Sequence, residues 1–152
     1  MAEEIAEKKQ EQAAFICSRD TLDGVYPSLI LGISSRRIGM KVKVFYTFMG
    51  LNVLKKGWLK KVKFKPVGPM GAIPGMPELA TWMMKQKIDK ADIPPLDDLL
   101  EMAQLEGVEL VACKMTIDMM GWKPEDLIEG TIIQNAENFL KFAKDCKICL
   151  FT

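Results

Sequence analysis

A chain of 152 residues without a single histidine cannot assemble a His-based triad, a His metal site or a His general base, and its formal net charge of +1 gives no global attraction for nucleic acid. With 49% apolar and 27% charged residues it has the make-up of a folded protein, long enough to bury a core without disulfide staples. No stretch approaches the ~18 apolar residues of a membrane span, and the start MAEEIAEKKQEQ lacks the apolar centre of an export signal, so no membrane span and a cytoplasmic setting are expected.

Residues 1–12 read as a polar tail, leaving 13–152 as a single α/β domain. AAFIC, 13–17, is an unbroken apolar run that suits a strand buried on both faces. Leu22, Val25, Tyr26, Leu29, Ile30 and Ile33 then follow a helical spacing that ends before Gly39. Pro27 is tolerated in a first turn, which sets the expected start of the regular helix between Asp23 and Tyr26. KVKVFYTF, 41–48, is β-branched and aromatic and predicts a second strand.

The segment from Gly57 to Pro77 is too rich in Pro and Gly for a long regular element and reads as an elaborate loop. Pro77 opens a helix in PELATWMMKQKI. PPLDDLLEMAQLEG gives another, with Leu96, Leu99, Leu100 and Ala103 inward and Gly107 at its end. VELVAC, 108–113, predicts the next buried strand. A short helix is expected over KPEDLIEG and a longer one over QNAENFLKFAK, with Ala136, Phe139, Leu140 and Ala143 on one face. CKICLFT closes the chain as a strand. Strands without alternating polarity, interleaved with helices, predict a three-layer α/β sandwich with a mostly parallel sheet. Ligands of such sheets sit beyond the carboxyl ends of the strands, commonly beside the first strand.

Sulfur dominates the reactive inventory: Cys17, Cys113, Cys146 and Cys149, expected as reduced thiols. Cys113 ends a strand just before a turn whose N–H groups favour a thiolate, with Lys114 adding a positive charge; the competing reading is a small hydrophobe that fills a strand end. Cys17 is either a second thiol at the same edge or core filler. The thiol-pair role requires adjacent strands and a shared face. Cys146 and Cys149 have CxxC spacing, but within a strand positions three apart face opposite ways, so they read as structural. Cys113, Met115 and Met119 have the softness for Cu(I), yet methionines more often fill gaps and wall a surface, and no metal site is assigned. KKGWLKKVKFK, 55–65, holds six lysines, among them Lys60 and Lys61. It reads as a solvated face, then as a cationic rim for an anionic sulfur species or acidic partner, and last as a surface for single-stranded nucleic acid.

VFYTFMGLNVL at 44–54 and VELVACKMTIDMMGWKPEDLI at 108–128, with the first strand and its helix bearing Asp23 and a last helix and strand, resemble the DsrE/DsrF/DsrH-like sulfur-relay family, in its DsrE-like branch with a long insertion. The spacing of Cys113, Thr116 and the Met119–Met120–Gly121 turn carries most of that resemblance. It implies a Rossmann-like (flavodoxin-like) subunit that forms homo-oligomers. It also implies a sulfur carrier or sulfurtransferase holding sulfane sulfur or thiosulfate on Cys113 without a cofactor, and exchanging it with TusA-like or rhodanese-like proteins. Lys114, Thr116, Met119, Lys60 and Lys61 are then the expected substrate or partner contacts, with Cys17 a candidate second thiol. Two other classes compete: a non-catalytic oligomeric scaffold, which needs an inert buried Cys113, and a soft-metal binder.

Overall fold

In the computed structural model, residues 9–152 are described; most of the expected polar tail lies outside them. Five parallel strands form one sheet in the order β4-β3-β2-β1-β5: β1 Gln12–Cys17, β2 Lys41–Tyr46, β3 Glu109–Cys113, β4 Ile132–Gln134 and β5 Ile148–Phe151. The α/β sandwich is therefore as expected, with the sheet parallel throughout. Successive connections step from β1 to β4 across one edge, and the last one returns past β1 to the other edge. Right-handed crossovers then place α1 (Leu22–Arg37), α3 (Leu96–Leu105) and α4 (Lys114–Met120) on one face and α5 (Ala136–Ala143) on the other.

The two apolar clusters follow that division. Ala13, Phe15, Cys17, Val42, Val44, Tyr46, Leu110 and Ala112 pack under Val25, Leu29, Leu99, Leu100 and Ile117. Ala14, Phe45, Val111 and Cys113 pack instead under Phe139 and Ala143 of α5. Alternation along each strand makes the two sets, since neighbouring residues project to opposite faces. The first face carries the larger core. The second depends on one eight-residue helix, anchored by a stack of Phe45 on Phe139 with ring centroids 4.4 Å apart. Such a pair contributes about 0.5–1.5 kcal/mol beyond the area it buries.

Several expectations need correction. α1 is helical from Leu22, so Pro27 stands in its second turn and withdraws the N–H that would bond the Asp23 carbonyl; Asp23 is exposed, where water can satisfy it. The second strand stops at Tyr46, and a 3₁₀ stretch runs from Phe48 to Leu54. Only Pro124–Asp126 of KPEDLIEG is helical, as a single 3₁₀ turn. Gln134, expected in a helix, ends β4, and the helix begins after Asn135, whose side chain accepts the Asn138 N–H at 2.8 Å. Within α5, Phe139 and Ala143 are buried while Leu140 is exposed. α3 buries Leu96, Leu99, Leu100 and Ala103 as its spacing predicts.

The insertion contains α2 (Met76–Lys90), in which Pro77 occupies the first turn. The insertion joins the body through a bridge of Lys63 to Thr21, and within it α2 is tied back by Thr81, whose hydroxyl accepts the Phe64 N–H at 2.9 Å. Among the described residues, no helix is long and apolar enough to cross a membrane.

Candidate functional site

Cys113 is the last residue of β3 and the N-cap of α4, in extended conformation (φ −69°, ψ 116°). An apolar strand running directly into a helix delivers its final side chain to the carboxyl edge of the sheet, beside the first N–H groups of that helix. The register puts Ala112 opposite Tyr46, so the next residue on β2's path, Thr47, stands beside Cys113 on the α5 face. The Thr47 and Thr116 hydroxyl oxygens lie 3.2 Å apart, and the Phe48 N–H donates to Thr116 Oγ1 at 3.2 Å. These bonds tie the end of β2 to the first turn of α4 around the sulfur.

The Cys113 thiol ionises more readily than an ordinary one. Burial, the largest influence, opposes ionisation, but the Thr116 hydroxyl and N–H, the Thr47 hydroxyl and the Met115 N–H favour the thiolate and together prevail. Cys113 is only 3% exposed. The same two segments expose Phe48, Met49, Met115 and Met119, an apolar rim flanking the strand end. Phe48 holds a left-handed backbone (φ 46°), a conformation unfavourable to a residue with a bulky side chain.

The other expected site residues scatter. Cys17 ends β1, with β2 between it and β3, and faces the α1 side, so neither condition for a pair with Cys113 is met. Its Sγ lies 3.3 Å from the Arg19 carbonyl and 3.7 Å from that of Gly24. Burial pushes its thiol up and outweighs the opposing Ser28, Arg19 and Thr152 contacts. The winding reverses between β3 and β4, whose following helices α4 and α5 lie on opposite faces, so Cys113 stands at that reversal; β2 separates it from the first strand, beside which the site was expected.

Lys114 turns outward and pairs with both Asp118 carboxylate oxygens, at 2.5 and 2.7 Å; this exposed i,i+4 pair contributes about 0.3–0.5 kcal/mol. Thr116 is buried at the site, and Met119 is exposed on α4. Lys60 and Lys61 belong to a 3₁₀ turn, Leu59–Lys61, and line a cavity of about 300 Å³ with Lys63, Glu78, Trp82 and Lys85. None of these residues is among the groups around Cys113. Part of the lysine run is already engaged: Lys55 lies 4.4 Å from the Trp122 ring centroid, Lys56 donates to the Glu125 carbonyl at 2.7 Å, and Lys63 pairs with Glu78 at 3.0 Å.

The CxxC pair also differs from expectation. Cys146 precedes β5 and packs with the α5-side cluster, while Cys149, in register with Ala14, projects to that same face. Both are free thiols. Burial, then Cys149 and Asp145, push Cys146 up to about 11, which leaves it a poor nucleophile near neutral pH.

Reading the sequence alone missed two residues. Thr47 lies 69 residues from Thr116, and only strand order brings them together. Gln134 is the register partner of Cys113 across the β3–β4 pair, on a strand too short to leave a pattern.

Comparison with known proteins agrees with this architecture. The chain is 33% identical to the "Sulfur carrier protein DsrE2" of Allochromatium vinosum over 159 aligned positions, covering 94% of this chain and 99% of that protein. It is also 33% identical to the "Uncharacterized protein YrkE" of Bacillus subtilis, covering 73% and 78% respectively. Among solved structures, the ychN protein of E. coli superposes with a TM-score of 0.63 at 14% identity, over 94% of this chain and all (100%) of that one. A protein of unknown function from Methanobacterium thermoautotrophicum, MTH1491, gives 0.55 at 15% identity, over 93% and 99%. These two establish the shared fold. A profile of the DsrE/DsrF/DrsH-like family matches residues 9–151, nearly the whole chain, and the protein belongs to that family.

Proposed function

We propose that this protein is a cysteine-based sulfur carrier in which Cys113 receives sulfane sulfur, or a thiosulfate group, and hands it to the thiol of a partner. The observation that carries the reading is the Cys113 thiol itself, biased toward the thiolate by Thr116, Thr47 and the Met115 N–H at the end of a buried strand. Likeness over nearly full length to a protein named as a sulfur carrier supports the same role.

The chemistry needs neither histidine nor metal. The Cys113 thiolate attacks the outer sulfur of a donor persulfide; a new S–S bond forms, the donor's S–S bond breaks, and the donor leaves as thiolate. With tetrathionate the same attack leaves a thiosulfonate on Cys113 and expels thiosulfate. In discharge, a partner thiolate attacks the outer sulfur and Cys113 returns as thiolate. Electrons balance within each exchange, and no external oxidant is required. The apolar rim of Phe48, Met49, Met115 and Met119 keeps water from the bound sulfur.

A TusA-like or rhodanese-like protein is the proposed partner, and the lysines of the insertion are proposed to dock it by charge rather than to touch the sulfur. Assembly into homo-oligomers is proposed for the sparsely covered α5 face, where Leu140 and Phe151 are exposed. A scaffold role is the second reading, favoured by the 3% exposure of Cys113, and it predicts that the folded chain takes up no sulfur.

Intact mass after incubation with polysulfide or tetrathionate decides between them. The carrier reading expects a sulfur or thiosulfonate adduct on the wild type that Cys113→Ser abolishes and Cys17→Ser retains. Equal loading of Cys113→Ser, or none on folded wild type, would refute it.

A further inference from the structure

Building on the carrier reading of Cys113, we propose that the Gln134 carboxamide grips the sulfur cargo once it is attached. Gln134 is the register partner of Cys113 in a parallel strand pair, and register partners in parallel strands project to the same face. Alternation agrees: Ile132, two residues earlier on β4, packs in the same cluster as Cys113. The Oε1 atom of Gln134 is buried and has no hydrogen-bond partner, one of few such atoms among the described residues. A buried acceptor without a partner is unfavourable, and such groups in folded proteins call for an explanation.

The groups that favour the bare thiolate come from the end of β2 and from α4. Gln134 stands across from them on β4, the strand beyond Cys113. An added sulfur lengthens the Cys113 side chain by one S–S bond, about 2 Å, and needs its own polar contact. A carboxamide offers two donors on one arm and an acceptor on the other, and rotation about its terminal torsion exchanges them. With no sulfur attached, the buried oxygen has no partner. Toward an anionic persulfide or thiosulfonate the NH₂ donates to the outer sulfur or to a sulfonate oxygen, and the persulfide proton passes to solvent. Being neutral, the amide holds an anion without a permanent ion pair, so the cargo can still leave.

The test uses the full reduced chain with inorganic polysulfide and with tetrathionate as probes. Gln134→Met keeps length and removes both donor and acceptor; Gln134→Glu puts a negative charge at the same place; Gln134→Asn keeps the amide but shortens its reach. Two quantities are read: the pH profile of Cys113 alkylation, and the loading rate and lifetime of the adduct under excess dithiothreitol by intact mass. For Gln134→Met the lifetime is expected to fall about tenfold, the loss of one hydrogen bond to a charged group, while the alkylation profile moves little. Tetrathionate loading of Gln134→Glu is expected to fall by more than about tenfold, through like-charge repulsion. Gln134→Asn should fall between wild type and Gln134→Met, and it decides the question should Gln134→Met fail to fold. Wild-type loading and lifetime in all folded variants would overturn this inference alone. Failure of the wild type to load would overturn the carrier reading with it.

Discussion

Cys17 and Cys113 end strands at the same edge of one sheet, and both are almost fully buried, yet their environments pull them in opposite directions. Cys17 faces the large core, where its sulfur meets carbonyl oxygens of Arg19 and Gly24 and burial prevails, so its thiol stays protonated. Cys113 faces the thinly covered side, where hydroxyl and N–H donors outweigh burial and favour the thiolate. Burial raises both thiols and the neighbouring polar groups lower both. What distinguishes them is which side wins: around Cys17 burial outweighs Ser28, Arg19 and Thr152, whereas around Cys113 the Thr116, Thr47 and Met115 groups outweigh burial. One residue of strand parity decides which set a cysteine meets.

The most severe way to break this contrast is Gly50→Ala. A Cβ there would lie 2.2 Å from the Cys17 carbonyl oxygen, and Gly50 N–H already donates to the Ser18 carbonyl at 3.0 Å. The 3₁₀ stretch would have to move away from β1 and carry Thr47 with it. A loss of about 3 kcal/mol in urea unfolding is expected, together with a rise in the Cys113 thiol's titration midpoint.

A more selective change is Thr116→Val, which removes the leading hydroxyl from the Cys113 side. Iodoacetamide alkylation of Cys113 near pH 7 should slow about tenfold, equivalent to a thiol raised by about one unit. The matching change on the other side, Ser28→Ala, should leave that rate unaltered, and an equal slowing would show that the two environments are coupled.

Opposite shifts also demand opposite pH dependence. The Cys113 thiol is lowered by folding, so its contribution to stability is present above the unfolded thiol value and is lost as pH falls through the folded value. For Cys17, raised by folding, the contribution is present below the unfolded value and is lost as pH rises toward the folded one. Urea midpoints between about pH 6 and 10 should show the cost of Cys113→Ser growing with pH and that of Cys17→Ala shrinking. Parallel curves would contradict the contrast. Near neutral pH, Cys17→Ala should cost about 1 kcal/mol, as removal of a small buried group, and leave sulfur loading intact. The smallest effect belongs to Lys114→Met, which breaks an exposed ion pair; within about 0.5 kcal/mol in stability and little change in loading are expected.

Much of this contrast was legible in residues whose role is local. AAFIC and VELVAC announce strands because both faces are covered, and the Leu96, Leu99, Leu100 and Ala103 stripe announces its helix because its spacing matches the turn. Cys113 stood out because a cysteine that closes an apolar strand leaves a mark in the chain itself. Thr47 left none, since its meaning depends on β2 lying between β1 and β3, and Gln134 was hidden in a three-residue strand next to a well-capped helix. The premise that both CxxC cysteines lie in one strand failed for a related reason: Cys146 comes just before β5 begins, so strand parity does not apply to it. Lys60 and Lys61 line a cavity of the insertion and are not among the groups around Cys113, a matter of tertiary placement that charge counting cannot supply.

Phe48 adds an evolutionary consequence. Its left-handed backbone costs on the order of 1 kcal/mol that glycine would not incur, and its ring is half in solvent, so packing gives little reason to keep it. Phe48→Gly should therefore raise the melting temperature while thinning the cover over Cys113. A lineage selected only for heat resistance would be expected to give up this ring early, and one selected to keep sulfur out of water would retain it.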